Sequence, residues 1–250
     1  MKQPPILIHK KTYYLIVFVF FAVTLFNLQS GYAQQADYYY QRNNTGIRVN
    51  AGIGFTTLVT HFANRPLNEA FLFGGDYDFS AYFSVGIEGQ FGTLQGSDES
   101  HNMYYQSSTD QYFASTANIR LAPIGALFSD GKAHHDFQEY LYRLYLGVGI
   151  GVINVQNTLE KATNPQTPAF GTAVPNGTYM VIPFNLGTVI DLPGLFGRDR
   201  ISLNPNFQVN YVNSTYLDGF QTVKSSLSLY RMISLKVKFK FWPKPKPSLF

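Results

Sequence analysis

Residues Tyr145-Leu-Gly-Val-Gly-Ile-Gly-Val152 place a large apolar side chain at every second position from Leu146 onward, with a glycine between each pair. A repeat of two is the spacing of a strand whose faces look in opposite directions; an amphipathic helix would repeat every three to four residues. One face of this strand is greasy and the other is almost bare.

Working outward, the same period recurs. Ile47, Val49, Ala51, Ile53 and Phe55 alternate with Arg48, Asn50, Gly52 and Gly54. Phe71, Phe73, Tyr77 and Phe79 stand against Asp76 and Asp78, and Val85, Ile87 and Phe91 against Glu88 and Gln90. Ala117, Ile119 and Leu121 flank Asn118 and Arg120, and the quoted strand is extended backwards through Tyr140, Tyr142 and Leu144, opposite Arg143. Met180 to Ile190 faces away from Asn185, Gly187 and Asp191, and Ile201 to Tyr211 faces away from a row of asparagines. Leu235 to Phe241 sets Lys236, Lys238 and Lys240 on one face. These segments predict eight strands, or ten if Tyr38 to Thr45 or part of a long loop adds a hairpin, and outside the N-terminal run no segment carries a helical spacing of apolar residues.

A soluble sandwich or lipocalin-type barrel also alternates, but with its large apolar face inward. Here the polar face is rich in glycine, which weakens a solvated strand surface. Glycine suits the interior of an eight-stranded barrel, which is only wide enough for side chains to fill. The expected fold is therefore all-β, an eight-stranded antiparallel up-and-down transmembrane β-barrel spanning residues 46–242. Its lumen is expected to hold a charge network of Arg48, Arg120, Arg143, Lys236, Lys238 and Lys240 with Asp76, Asp78, Glu88 and Asp191, because enclosed charges need partners. Packing the lumen is the expected role of these ions, ahead of a narrow ion path or proton relay. The outward face would meet lipid, with Tyr140, Tyr142, Phe241 and Trp242 as an aromatic girdle. Arg231 falls in the apolar register at the start of its strand, where an interface accepts a cation.

Connection lengths alternate: long at His61 to Glu69, short at Ser80 to Tyr82, long at Gly96 to Gln111, a tight Asp130-Gly131 turn, long at Asn157 to Asn176, shorter at Leu192 to Asp199 and long at Asn213 to Ser226. Short inner turns and long outer loops are the habit of outer-membrane barrels, and this order puts both termini in the periplasm. The long loops carry His101, Tyr104, Tyr105 and Phe170 among small polar residues, a composition that suits either recognition of an external ligand or simple hydrophilic capping.

The first 33 residues read as an address. Lys2, Lys10 and Lys11 precede the apolar run Tyr13 to Leu28, and Gly31 and Ala33 offer the small side chains that a signal peptidase accepts. Cleavage is expected between Ala33 and Gln34, leaving residues 34–45 as a periplasmic lead-in; the run is also just long enough for an uncleaved anchor. The whole chain has 250 residues, 45% of them apolar and 14% charged, with a formal charge of +4. Removing the three leader lysines from the 19 basic residues leaves 16 against 15 acidic, so the balance gives no support to nucleic-acid binding. Mean hydropathy of -0.08 argues against a bundle of membrane helices. The absence of cysteine excludes a disulfide framework, a thiolate nucleophile and a Cys-type zinc site.

No cofactor is called for. Gly147, Gly149 and Gly151 lie within a strand and lack the spacing and following helix of a dinucleotide fingerprint. Ser129, Asp130, His134, His135 and Asp136 are adjacent in sequence, whereas a catalytic triad is a matter of spatial roles; a solvated turn is the expected reading, with metal binding by the two histidines behind it.

With its leader, its Gly-rich strands and its aromatic final strand Leu235 to Trp242, the chain resembles the small outer-membrane β-barrel proteins of Gram-negative bacteria, the OmpA-like and OmpX-like group. The resemblance covers Gly46 to Trp242. It implies an outer-membrane protein without a catalytic centre, with membrane lipid as its surroundings and the barrel-assembly machinery as a partner of its last strand. A lipid- or peptide-modifying enzyme and a small-solute pore are the alternatives within that architecture. In the family an aromatic residue usually ends the chain; here Pro243, Pro245 and Pro247 separate the last strand from Phe250, so recognition would fall to Phe239 and Phe241, and residues 243–250 read as a polyproline-like stub.

Overall fold

The computed structural model describes residues 45–59, 64–98, 106–128, 137–161, 176–192, 200–214, 217 and 228–241. The strands are β1 (Gly46–Val59), β2 (Asn68–Asp78), β3 (Phe83–Asp98), β4 (Gln106–Leu121), β5 (Tyr145–Lys161), β6 (Asn176–Gly187), a two-residue β7 (Ile190–Asp191), β8 (Ile201–Val212) and β9 (Ser228–Lys240). Each long strand pairs antiparallel with its sequence neighbour, β6 pairs with β8, and β1 pairs with β9. The ring of eight long strands is thereby closed, each long strand having a partner on both sides over part of its length. β7 sits in the connection between β6 and β8, paired only to β8.

Gly46, at φ +136°, opens β1 in a conformation that side-chain-bearing residues rarely adopt. It lies beside β9's last residues, since Arg48 stands opposite Lys240. Both ends of the described barrel therefore lie at the same rim as the tight β2–β3 connection, where Phe83 accepts hydrogen bonds from Phe79 and Ser80 through its carbonyl.

The alternation sorts the side chains as their chemistry demands. Ile53, Ile87, Val148, Ile150, Phe184, Ile233 and Val237 are exposed on the outer wall, while Glu88, Gln90, Asn118, Asn206, Lys236 and Lys238 are buried within. The outward apolar belt covers Ile47 to Phe55 on β1, Leu146 to Val152 on β5, and Ile233 to Phe239 on β9 with Phe241 just past its end, close to the span that crosses a hydrocarbon layer.

Two expectations need correction. The β4–β5 connection is not a tight turn. It holds two short helices, α1 (Pro123–Phe128) and α2 (Phe137–Tyr142), packed on each other. Proline is preorganised for the first turn of a helix, and a Cβ on Gly125 would strike the Tyr82 ring and the Tyr142 carbonyl, so only glycine allows this approach. Tyr140 and Tyr142 accordingly belong to α2 and not to the fifth strand. Their even numbering continues the phase of Leu146 and Val148 by coincidence, and the strand begins only at Tyr145, after a turn in which Leu144 donates to the Leu141 carbonyl.

Candidate functional site in the barrel interior

The interior has three layers. At the turn end, Arg48 Nε meets Asp78 Oδ2 at 2.5 Å, and its Nη1 lies 3.7 Å from Asp191 Oδ1 and donates to Ser202 Oγ at 3.1 Å. Arg143 pairs with the other oxygen of Asp191, and Ser202 donates to Asp191 at 2.6 Å. Deeper in, Asp76 takes Arg120 on one oxygen at 2.5 Å and Lys238 on the other at 2.9 Å, with Asn50 donating to it at 3.0 Å. Glu88 takes Lys236 at 2.5 Å, with the second guanidinium nitrogen of Arg120 at 3.6 Å. Arg120 also lies over the Tyr145 ring, 5.7 Å from its centre. Lys240 is buried on the same wall, opposite Arg48.

All ten expected luminal ions thus face one interior, and the glycines between them are shaped to their neighbours. A Cβ on Gly52 would come within 2.7 Å of Lys236, one on Gly187 within 2.6 Å of the Tyr145 hydroxyl, and one on Gly86 would overlap the Asp76 carboxylate. Asp191 comes from β7 and not from the sixth strand. Burial acts to raise its carboxyl pKa; Arg143, the Ser202 hydroxyl and Arg48 outweigh that and hold it below the usual carboxylate range.

The second layer is neutral. Gln90 donates to Glu88 at 2.9 Å and to Gln208 at 3.1 Å, and accepts from the Tyr230 hydroxyl at 3.2 Å. Asn206 donates to Asn185 at 3.1 Å, and Asn185 donates onward to Asn118 at 3.2 Å. Tyr145 joins this chain by donating to Asn206 at 3.1 Å and accepting from Asn204 at 3.0 Å. Amides supply donors and acceptors in equal measure, so such a ladder satisfies itself without net charge.

The third layer was not anticipated. Toward the loop end the interior becomes apolar: Leu58, Leu94, Tyr112, Ala114, Ile153, Val155, Val181, Val212, Leu217 and Tyr230 form one buried cluster, with the Tyr112 and Tyr230 rings 5.4 Å apart. At this height the outer wall turns polar, exposing Gln111, Asn154, Gln156 and Thr158. The signal lies in β5, where apolar residues change parity between Val152 and Ile153. Even numbers are greasy below that point and odd numbers above it. The strand does not break; the environments exchange sides.

Phe241 is exposed on the belt, edge-on to Phe239 at 5.3 Å, Tyr140 is exposed on α2 and Tyr142 half-buried. Trp242, the Ala33–Gln34 cleavage site, the cluster from Ser129 to Asp136, His101, Tyr104, Tyr105, Phe170, the proline tail and the extra hairpin before Thr45 lie outside the described residues.

No family model matches the sequence, and no curated protein matches it. Among solved structures the chain is similar to the neisserial surface protein A NspA, at 9% identity and a TM-score of 0.41 over 79% of this chain and 98% of that one. It is similar to Ail of Yersinia pestis in complex with the heparin analogue sucrose octasulfate, at 10% identity and 0.42 over 79% and 99%. It is also similar to OprG of Pseudomonas aeruginosa, at 9% identity and 0.40 over 80% and 100%. At these values the likeness carries nothing about a ligand or a role.

Proposed function

We propose that the protein is an integral outer-membrane barrel of a Gram-negative bacterium with a structural or interaction role, its termini in the periplasm and its loops displayed outside. The observation that carries this reading is the exchange of environments along the strands. Where the outer wall is apolar the interior is largely ionic and amide-bearing, and where the outer wall turns polar an apolar cluster fills the interior, with Ser108 and Asp110 of β4 buried beyond it. A water-soluble barrel keeps one sense throughout; a barrel standing partly in lipid and partly in water has to switch.

The role is anchorage and display, without catalysis. The interior ions hold one another in place and an apolar cluster fills the barrel toward its loop end, so a macromolecular partner would meet the loops and the polar outer extension. Lipid surrounds the belt, the assembly machinery engages the last strand, and no cofactor takes part. Outer-membrane fractionation, followed by gel migration with and without boiling, tests the placement; membrane retention and a heat-dependent shift are expected, and recovery as a soluble periplasmic species overturns it. Planar-bilayer recording tests the sealed lumen, with silence expected and steady unitary conductance favouring a pore.

A further inference from the structure

At the turn end of the barrel the charge network surrounds a cavity of about 50 Å³ that reaches the rim between the β2–β3 connection, Ala122 and Val189. Its walls carry Arg48, Arg120, Arg143 and Lys238 against a single carboxylate, Asp78. We propose that this cavity is a binding site for a small tetrahedral oxyanion of the phosphate class.

Three observations support the assignment independently of which membrane holds the barrel. The first is charge. The cavity wall itself carries four cations, Arg48, Arg120, Arg143 and Lys238, and one carboxylate, Asp78. An oxyanion seated there would face several cationic donors at once, and charge-assisted hydrogen bonds of this kind are the strong ones.

The second is preorganisation. Each cation on the cavity wall is already held from another side: Arg48 by Asp78 and Asp191, Arg120 by Asp76 and Glu88, Arg143 by Asp191, Lys238 by Asp76. They need not be ordered when an anion arrives, which removes part of the cost of binding. Arginine forks also match an oxyanion's geometry.

The third is an unused donor and a matching size. Arg120, with 4% of its side chain exposed, has its Nε without a hydrogen-bond partner among the described residues. A water occupies roughly 10 to 15 Å³ of such a cavity, so the space holds about three to five waters, the scale of a phosphate ion. A phosphomonoester would seat the same group with its ester arm toward the rim.

The test is titration calorimetry on the full mature chain folded in alkyl maltoside micelles, which carry no phosphate, at low salt. Inorganic phosphate and glycerol 3-phosphate are titrated in separate arms. One-to-one saturable binding of inorganic phosphate is expected; binding of both ligands extends the site to a monoester headgroup, and binding of neither overturns the proposal. Arg143→Gln is expected to weaken binding about tenfold, and Ser84→Leu, which narrows the cavity without removing charge, is expected to abolish it. Arg231→Gln, on the outer wall, serves as the unchanged control. Heat-dependent gel migration establishes that each variant is folded, and wild-type affinity retained in both folded cavity variants also overturns the proposal.

Discussion

Gly89 on β3 lies under the aromatic ring of Phe73 on β2, its direct partner across the antiparallel pair. A Cβ at Gly89 would stand 2.8 Å from two of the ring's edge carbons. The ring covers backbone that glycine leaves bare, and it does so on the outer wall, beside the stacked pair Phe71 and Phe91 at 5.2 Å. Gly89→Val is expected to lift the ring and destabilise the barrel by about 1 to 3 kcal/mol, the range for overpacking. In Phe73→Ala the same valine should cost much less. A double-mutant cycle by urea unfolding reads the coupling, and additive effects would show that the two residues act separately.

Val148 and Gln156 both point outward from β5, one within the belt and one beyond it. Val148→Arg is expected to cost about 2 to 4 kcal/mol in a bilayer, whereas Gln156→Arg should cost about 0 to 1. Folding yield into lipid vesicles, scored by heat-dependent migration, measures the difference; equal tolerance would mean that the belt does not face hydrocarbon.

Lys236 is fully buried against Glu88. Lys236→Met leaves that carboxylate with only the more distant Arg120 guanidinium and Gln90, and is expected to destabilise by about 3 to 5 kcal/mol. Replacing both partners, as Lys236→Met with Glu88→Leu, should recover much of the loss because no charge remains to be satisfied. Chemical denaturation in micelles compares the three proteins, and a double variant no better than the single would argue that the pair is not the relevant unit.

Asp191 lies in the β6–β8 connection, and its carboxyl is held below the usual range. The unfolded chain therefore takes up this proton first as the pH falls. The stability that the ionised group contributes is complete above about pH 5 and drains away below about pH 4, through the depressed folded value. Asp191→Asn should be less stable at neutral pH and show a flatter profile between about pH 5 and pH 2. Urea midpoints across that interval decide it, parallel profiles being the adverse result.

Much of the barrel is legible along the chain because each strand's two faces meet different surroundings. Arg48 beside Val49, or Lys238 beside Val237, already assigns inside and outside. What escaped was any feature that preserved alternation while changing its meaning. Ile153 and Val155 alternate as cleanly as Val148 and Ile150, and only their parity announces that oil has moved from the outer wall to the axis. The helical connection escaped for a related reason. Tyr140 and Tyr142 share the phase of the following strand, while six-residue helices such as α1 and α2 are too short to display a period. Asp191 was legible as an ion but not as part of β7, since its position depends on a pairing with Ser202, a contact between distant wall and turn.

The parity change also sets a vertical coordinate. From Val152 to the end of β5 at Lys161 is roughly 30 Å of strand at about 3.3 Å per residue, or about 20 Å of height once a typical barrel tilt is allowed for. Paired with β4 along that length, but with β6 only as far as Gln156, this stretch carries the sheet beyond the apolar belt. In the proposed orientation this extension would act as a pedestal, holding a partner at arm's length from the lipid headgroups, its height written into a single slip of phase between two neighbouring residues.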